Sequence, residues 1–248
     1  MLAYVLRRVL QSVAVLLVVG LVAFTMFRYV GDPVENMLGQ EATQADRAEL
    51  LERLGLNDPI HVQYARFIRN AAIGEFGVSY RQGRPVTQVI AERLPATLEL
   101  AFVSGILAFV GGVSLGVYTA LKRNGVLSNA IMITSLIGVS LPTFLIGIVL
   151  IWVFAVELRW LPSYGRGDVV DLGWWDTGFL TLSGLKSLIL PAITLGLYQL
   201  TLIMRLVRAE MLEVLRTDYI MFAEARGIPD RSLYFRHALK NTMVPVIT

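Results

Sequence analysis

DYIMFAEARGIPDRSLYFRHALK, residues 218–240, lies between two strongly apolar stretches and carries charge of both signs. Its punctuation is that of two helices around a sharp turn. Asp218 suits an N-cap, because a carboxylate can accept bonds from the free N–H groups of a first helical turn. Tyr219, Ile220, Phe222, Ala223 and Ala225 give the first helix an apolar side. Gly227 suits the left-handed position just past a helix end, and Pro229 follows where a helix cannot continue. Asp230 or Ser232 then caps a second helix that runs through His237 and Leu239 toward the next apolar run. Such a segment either docks into a partner or only joins two spans along the membrane surface.

The run Ala223-Glu224-Ala225-Arg226-Gly227, then His237-Ala238-Leu239 after nine residues, then Asn241 and Val244-Pro245-Val246, resembles the EAA coupling loop of ABC-type importer permeases, in the dipeptide/oligopeptide/nickel branch. Met221-Phe222-Ala223 stands where that motif has Glu-Ala-Ala, and Glu224 where basic residues are common. The resemblance implies a short coupling helix, seated in a groove of an ATPase subunit. The residues it assigns to that role are Asp218, Tyr219, Phe222, Ala223, Glu224, Ala225, Arg226, Gly227 and His237, within a loop spanning 209–240.

The composition calls for a membrane. The chain is 55% hydrophobic and 17% charged, too apolar for an ordinary soluble fold, and several apolar runs reach the roughly twenty residues that cross a bilayer. A net charge of +3 gives no support to nucleic-acid binding. The absence of Cys excludes disulfides, Fe–S clusters and thiolate metal sites. His61 and His237 fall on opposite sides of the expected topology, so they cannot share a metal.

Val9 to Phe27, after Arg7-Arg8, is too long for a signal-peptide core and reads as a retained N-terminal span, residues 1–30, ended by Gly31-Asp32-Pro33. Residues 31–95 turn polar. Ala45 to Leu54 has amphipathic spacing with Gly55 as its stop, and Asn57-Asp58-Pro59 opens a second helix, Ile60 to Ala72, with Val62, Tyr64, Phe67 and Ile68 as its apolar contacts. This is a small extracytoplasmic helical cap. LGLNDP at 54–59, Gln63-Tyr64, GEFG at 74–77 and RLPATLELA at 93–101 resemble the region after the first span of peptide permeases.

The core, 96–248, follows. Thr97 to Leu121 is a span with Gly105, Gly111, Gly112 and Gly116 as a small-residue surface for close packing. Leu127 to Val156 is another, interrupted by Pro142, which either curves the helix or makes a hinge beside a pathway. After a loop with Trp160, Trp174 and Trp175 at the membrane interface, Ser187 to Val207 is the fourth span, kinked at Pro191. Tyr198, Gln199 and Thr201 are polar positions in it, lining a pathway or bonding between helices. The segments assigned to the inner side hold eleven of 22 basic but five of 19 acidic residues, as the positive-inside rule expects with a cytoplasmic N-terminus. Thr242 to Thr248 begins a fifth apolar run, and the chain is expected to continue beyond it.

The resemblance implies an all-α integral membrane protein with the type I ABC importer fold, of six spans in the family: four here plus the start of a fifth. It implies alternating access in a bacterial or archaeal cytoplasmic membrane. A second permease, two ATPase subunits and an extracytoplasmic solute-binding protein would complete the assembly. ATP and Mg would be held by the ATPase subunits, since the chain has no G-x-x-x-x-G-K-[ST] loop. Peptides are the expected solute, with nickel or another small solute as the alternative. A membrane enzyme would need a nucleophile with its base, or metal ligands, at membrane depth, and no H-E-x-x-H or G-x-S-x-G occurs. A stand-alone carrier would need ionisable groups near the midplane, where none is expected; Glu99 and Glu157 sit at span ends within reach of water. A Cys placed at Asp46 should react in intact cells with a label that cannot cross the membrane; labelling only after the membrane is opened would contradict the topology.

Overall fold

A computed structural model of the chain describes residues 2–29, 43–53, 55–79 and 82–247. The expected stop at Gly31-Asp32-Pro33, along with Leu54 of the quoted LGLNDP motif, lies outside the described residues. The chain divides into two compact units, residues 1–93 and 94–248.

In the first unit, α1 (Leu2–Tyr29) is the N-terminal apolar helix, α2 is Gln44–Arg53 and α3 is Ile60–Ala72. Gly55 stands at φ +64°, and the Leu56 N–H donates to Leu51 O at 2.9 Å, the six-residue closure of a glycine-stopped helix. Gln63 is buried and donates to Leu56 O and Asp58 O at 3.0 and 2.7 Å, holding the turn before α3. Tyr64 donates to Leu17 O at 2.7 Å, and Phe24 meets Tyr64 edge-on at 5.7 Å between centroids and Phe67 at 6.1 Å. Tyr64, Phe67 and Ile68 therefore make the contacts expected of them, across a surface of α1 that Gly20 keeps low. Val62 does not; it is exposed.

α4 (Val86–Leu121), most of which belongs to the second unit, starts well before Thr97, because Val86, Val89 and Ile90 continue the helix and Pro95 is accommodated inside it. Its partner is α7 (Leu182–Val214), which extends beyond both ends of the expected Ser187–Val207; Thr181 caps it by accepting the Gly184 N–H at 3.0 Å. The two helices meet through glycine. A Cβ on Gly112 would lie 2.8 Å from Ile203, and one on Gly116 2.7 Å from Val207 Cβ and 2.8 Å from Met204 O. Gly196 of α7 returns the contact against Leu107 and Ser104 O. Gly105 faces open space and takes no part, so three of the four predicted glycines form the packing surface.

The third apolar run is not one straight span. α5 (Val126–Ser140) and α6 (Thr143–Ile151) meet at a bend of 106°. Leu141 and Pro142 are both extended, at ψ 137° and 136°, since the proline ring disfavours helical backbone in the residue before it. Simple curvature at Pro142 is thus overturned in favour of a break. A π-helical turn, Trp152–Glu157, follows α6.

The loop before α7 holds a two-stranded antiparallel ladder, β1 (Val170–Asp171) with β2 (Asp176–Thr177). It is fastened by Glu99 of α4. That carboxylate is buried; it accepts the Gly178 N–H at 3.1 and 3.3 Å and pairs with Arg166 at 3.2 Å. Arg166 also donates to Asp176 O. Glu99 is therefore not in reach of water, as its place near the end of an apolar run suggested; the loop folds over it.

Gly116→Leu should prevent the approach of α4 to α7. Overpacking of this kind costs about 1–3 kcal/mol, and the purified protein should melt at lower temperature. Gly105→Leu, with nothing near its Cβ, should melt as the parent does.

Candidate functional site

The end of α7 leads through Thr217 into α8 (Asp218–Ala225). Thr217, not Asp218, occupies the N-cap, with extended backbone and its hydroxyl donated backwards to Val214 O at 2.6 Å. Asp218 is the first helical residue, where a carboxylate still favours the positive end of the helix dipole. After Pro229, likewise at the cap position, α9 (Asp230–Ser232) passes into a π-helical turn, Leu233–Ala238, and then α10 (Leu239–Thr242). Neither Asp230 nor Ser232 caps through its side chain. A last short helix, α11, spans Val244–Ile247.

Gly227 turns the chain at φ +76°; its N–H donates to Glu224 O at 2.8 Å, and the Ile228 N–H to Ala223 O at 3.3 Å. The α8 helix has two apolar sides rather than one. Ile220 and Ala223 are buried against Val117 and Ala120 of α4, Val207 and Met211 of α7, and Leu233 and Ala238. Tyr219, Met221 and Phe222 face outward, Phe222 at 64% exposure, with the Arg226 guanidinium 5.7 Å from its ring centre. Glu224, Ala225 and Arg226 are exposed. Ala223, expected on the docking side, is instead part of the chain's own core, because an alanine is small enough to let α8 approach α4 and α7.

The exposed aromatic is itself positioned. Asn241 of α10 donates to the Tyr219 hydroxyl at 2.6 Å, and that hydroxyl donates to His237 O at 3.4 Å. His237 contributes its carbonyl there, not its imidazole. Thr242, fully buried, donates to Ala238 O at 3.0 Å and touches Met211 Sδ at 3.5 Å. Tyr234 is half-buried; burial, with Asp230 and Glu224 nearby, pushes its phenol above the usual range and keeps it neutral. The α8 helix is thus joined on its inner side to the ends of α4, α7 and α10 while its outer side is bare.

The five pathway or hinge candidates are not brought to one place. Pro142 forms the break between α5 and α6. Pro191 lines a groove between α6 and α7. Tyr198 and Gln199 are exposed on α7. Thr201 is buried, donates to Leu197 O at 3.0 Å, and packs where Gly138 leaves room, which makes it a helix contact. Among the described residues, no group of three His, Cys, Asp or Glu is arranged to hold a metal ion. The Glu99–Arg166 clamp was missed from sequence. A carboxylate inside an apolar run is a signal that a partner exists, but the partner lies 67 residues away.

Among the described residues, three helices are long and apolar enough to cross a membrane, four if the bent pair counts as one. With its long glycine-packed helices and its half-exposed short helix at one end of the bundle, this is a multi-pass helical membrane protein. Residues 112–248 match the family described as the binding-protein-dependent transport system inner membrane component, residues 1–101 match the N-terminal region of such membrane components, and the chain belongs to this family of ABC importer permeases. It is 38% identical over 261 residues to the dipeptide transport system permease protein DppB of Alkalihalophilus pseudofirmus, matching all of this chain and 78% of the relative. The oligopeptide transport system permease protein AppB of Bacillus subtilis is 39% identical over 250 residues, all of this chain and 77% of the relative. The di/tripeptide transport system permease protein DppB of Pseudomonas aeruginosa is 38% identical over 262 residues, with 100% and 78% covered.

Replacing Gly227 tests the turn. A Cβ there meets nothing within 4 Å, so the cost is backbone strain alone, about 1–2 kcal/mol for an L-residue in left-handed geometry. Gly227→Val should speed amide exchange over residues 220–226 by about tenfold, each 1.4 kcal/mol being a factor of ten, and leave α7 unchanged. Equal acceleration in α7 would show that the turn is not a local constraint.

Proposed function

We propose that this chain is the permease subunit that forms half of the translocation pathway of an ATP-driven importer of di- or oligopeptides. The observation that carries the reading is the two-sided α8 helix, with Ile220 and Ala223 buried in the bundle and Tyr219, Met221 and Phe222 held bare on the other side. A helix of eight residues has little stability of its own, since nucleation is costly. Its rigid seat on α4 and α7 is useful if force must pass from a partner on its outer face into the bundle. Exposed aromatics are the residues that most often anchor such contacts. The partner is an ATPase subunit, and two such subunits, loaded with ATP and Mg, close and reopen the pathway by moving the coupling helices. The chain itself does no covalent chemistry.

A second, homologous permease supplies the other half of the pathway, and an extracytoplasmic binding protein delivers the solute. The N-terminus and the loop 209–240 lie in the cytoplasm, and residues 31–95 form the extracytoplasmic cap. Peptides are favoured as solute because the three relatives are named as dipeptide, oligopeptide and di/tripeptide transport permeases.

The test uses the absence of Cys in the chain. Phe222→Cys, exposed where Ala223→Cys would be buried, should crosslink to a Cys in the ATPase groove of the assembled importer. Phe222→Ala should lower peptide uptake by tenfold or more at unchanged membrane abundance. Crosslinking of the same groove Cys to a Cys at Glu49 instead would reverse the topology and remove α8 from the coupling role.

A further inference from the structure

The proline of α7, Pro191, lines a groove between α6 and α7. Its volume is about 420 Å3, within the range of about 300–1,000 Å3 typical of small-ligand sites. The α6 helix supplies Gly147 and Ile151, α7 supplies Ser187, Pro191 and Thr194, and residues 162–165 of the loop close one side. Gly147 matters for its size: a Cβ there would press on Thr194 Cγ2 at 3.3 Å.

The polar chemistry of the two helix walls is one-sided, while the Ser163 and Tyr164 hydroxyls on the loop side can also donate to a ligand's carbonyls. Pro191 has no N–H, so the Ser187 carbonyl lacks its donor four residues on. The Ser187 hydroxyl donates to Ser183 O at 2.9 Å and the Thr194 hydroxyl to Leu190 O at 2.8 Å, so both protons are committed to the helix. A hydroxyl has one proton and two lone pairs; what these groups retain is acceptor capacity. No Asp, Glu, Lys, Arg or His lines the groove, so it offers no counter-charge to an ammonium, a carboxylate or a metal ion. It suits the uncharged main chain and apolar side chains of a peptide, with the charged ends outside the groove.

We propose that this groove is a solute subsite that receives main-chain N–H groups of an extended peptide at the Ser187 carbonyl and the Ser187 and Thr194 hydroxyls. The proposal rests on the reading of the chain as a peptide importer subunit and gives it a contact point. Ile151 and Leu195 provide the apolar wall for a side chain.

The experiment uses the assembled importer in proteoliposomes, with this chain carrying Ile151→Cys as its single thiol and the partner subunits made Cys-free. The rate of maleimide labelling is read with trialanine and with its analogue methylated at each amide nitrogen, alongside uptake of trialanine. Leu195→Cys, on the other wall, repeats the measurement in case Ile151→Cys folds poorly. Trialanine should slow labelling and the methylated analogue should not. Adding Thr194→Val should raise the half-protecting concentration about fivefold, the equivalent of one neutral hydrogen bond of about 1 kcal/mol. Uptake without protection would overturn the subsite and leave the peptide reading standing. Equal protection by the methylated analogue would overturn the hydrogen-bond assignment. A thiol unreactive at both positions under all conditions would mean that a neighbouring helix or a lipid tail fills the groove, and the subsite would fall. Absence of uptake for trialanine and longer peptides alike would remove the peptide reading and the subsite with it.

Discussion

Everything in the second unit depends on how closely α4 and α7 approach. In lipid, apolar side chains gain nothing by leaving an apolar solvent, so helices associate through close packing and the few hydrogen bonds they can exchange. Gly112 and Gly116 let α7 lay Ile203, Val207 and the Met204 carbonyl on the backbone of α4. No side chain at those two glycines fits between. From that contact the ends of both helices take their separation, and the cluster of Val117, Ala120, Val207 and Met211 takes its shape.

That cluster is the seat of α8. Ile220 and Ala223 complete it, Leu233 and Ala238 close it from the returning segment, and Gly227 reverses the chain between the two. The buried side gives α8 a fixed orientation, and the Asn241–Tyr219–His237 bonds carry that order to its outer face. A short helix that would fray alone is therefore a rigid extension of two long ones.

Much of this was legible in the sequence, and the parts that were not have physical reasons. The glycine stops at Gly55 and Gly227 were readable because positive φ is a local demand met by one residue type. The apolar runs were readable from length, and their termini were not: Val86 and Leu182 begin helices in polar surroundings that no hydropathy window marks. Pro142 announced an irregularity, but a proline in a span is compatible with either a curve or a break. The division of α8 into buried and bare sides was hidden, since eight residues with apolar groups all round carry no usable period. For Thr201 the sequence left open a pathway or a helix contact; the glycine it packs against, Gly138, is 63 positions earlier in the chain.

The Glu99 clamp bears on how the protein is made. A chain enters the membrane from its N-terminus, so α4 is in place before Arg166 and Gly178 have been synthesised. During that interval the Glu99 carboxylate has neither of its donors, and a charge left bare at that depth is costly. The end of α4 must stay wetted until residues 157–181 emerge and fold back. Closing of the loop over Glu99 is then the step that withdraws water from this end of the bundle. A nascent chain halted short of Gly178 would leave the Glu99 carboxylate without its backbone donor.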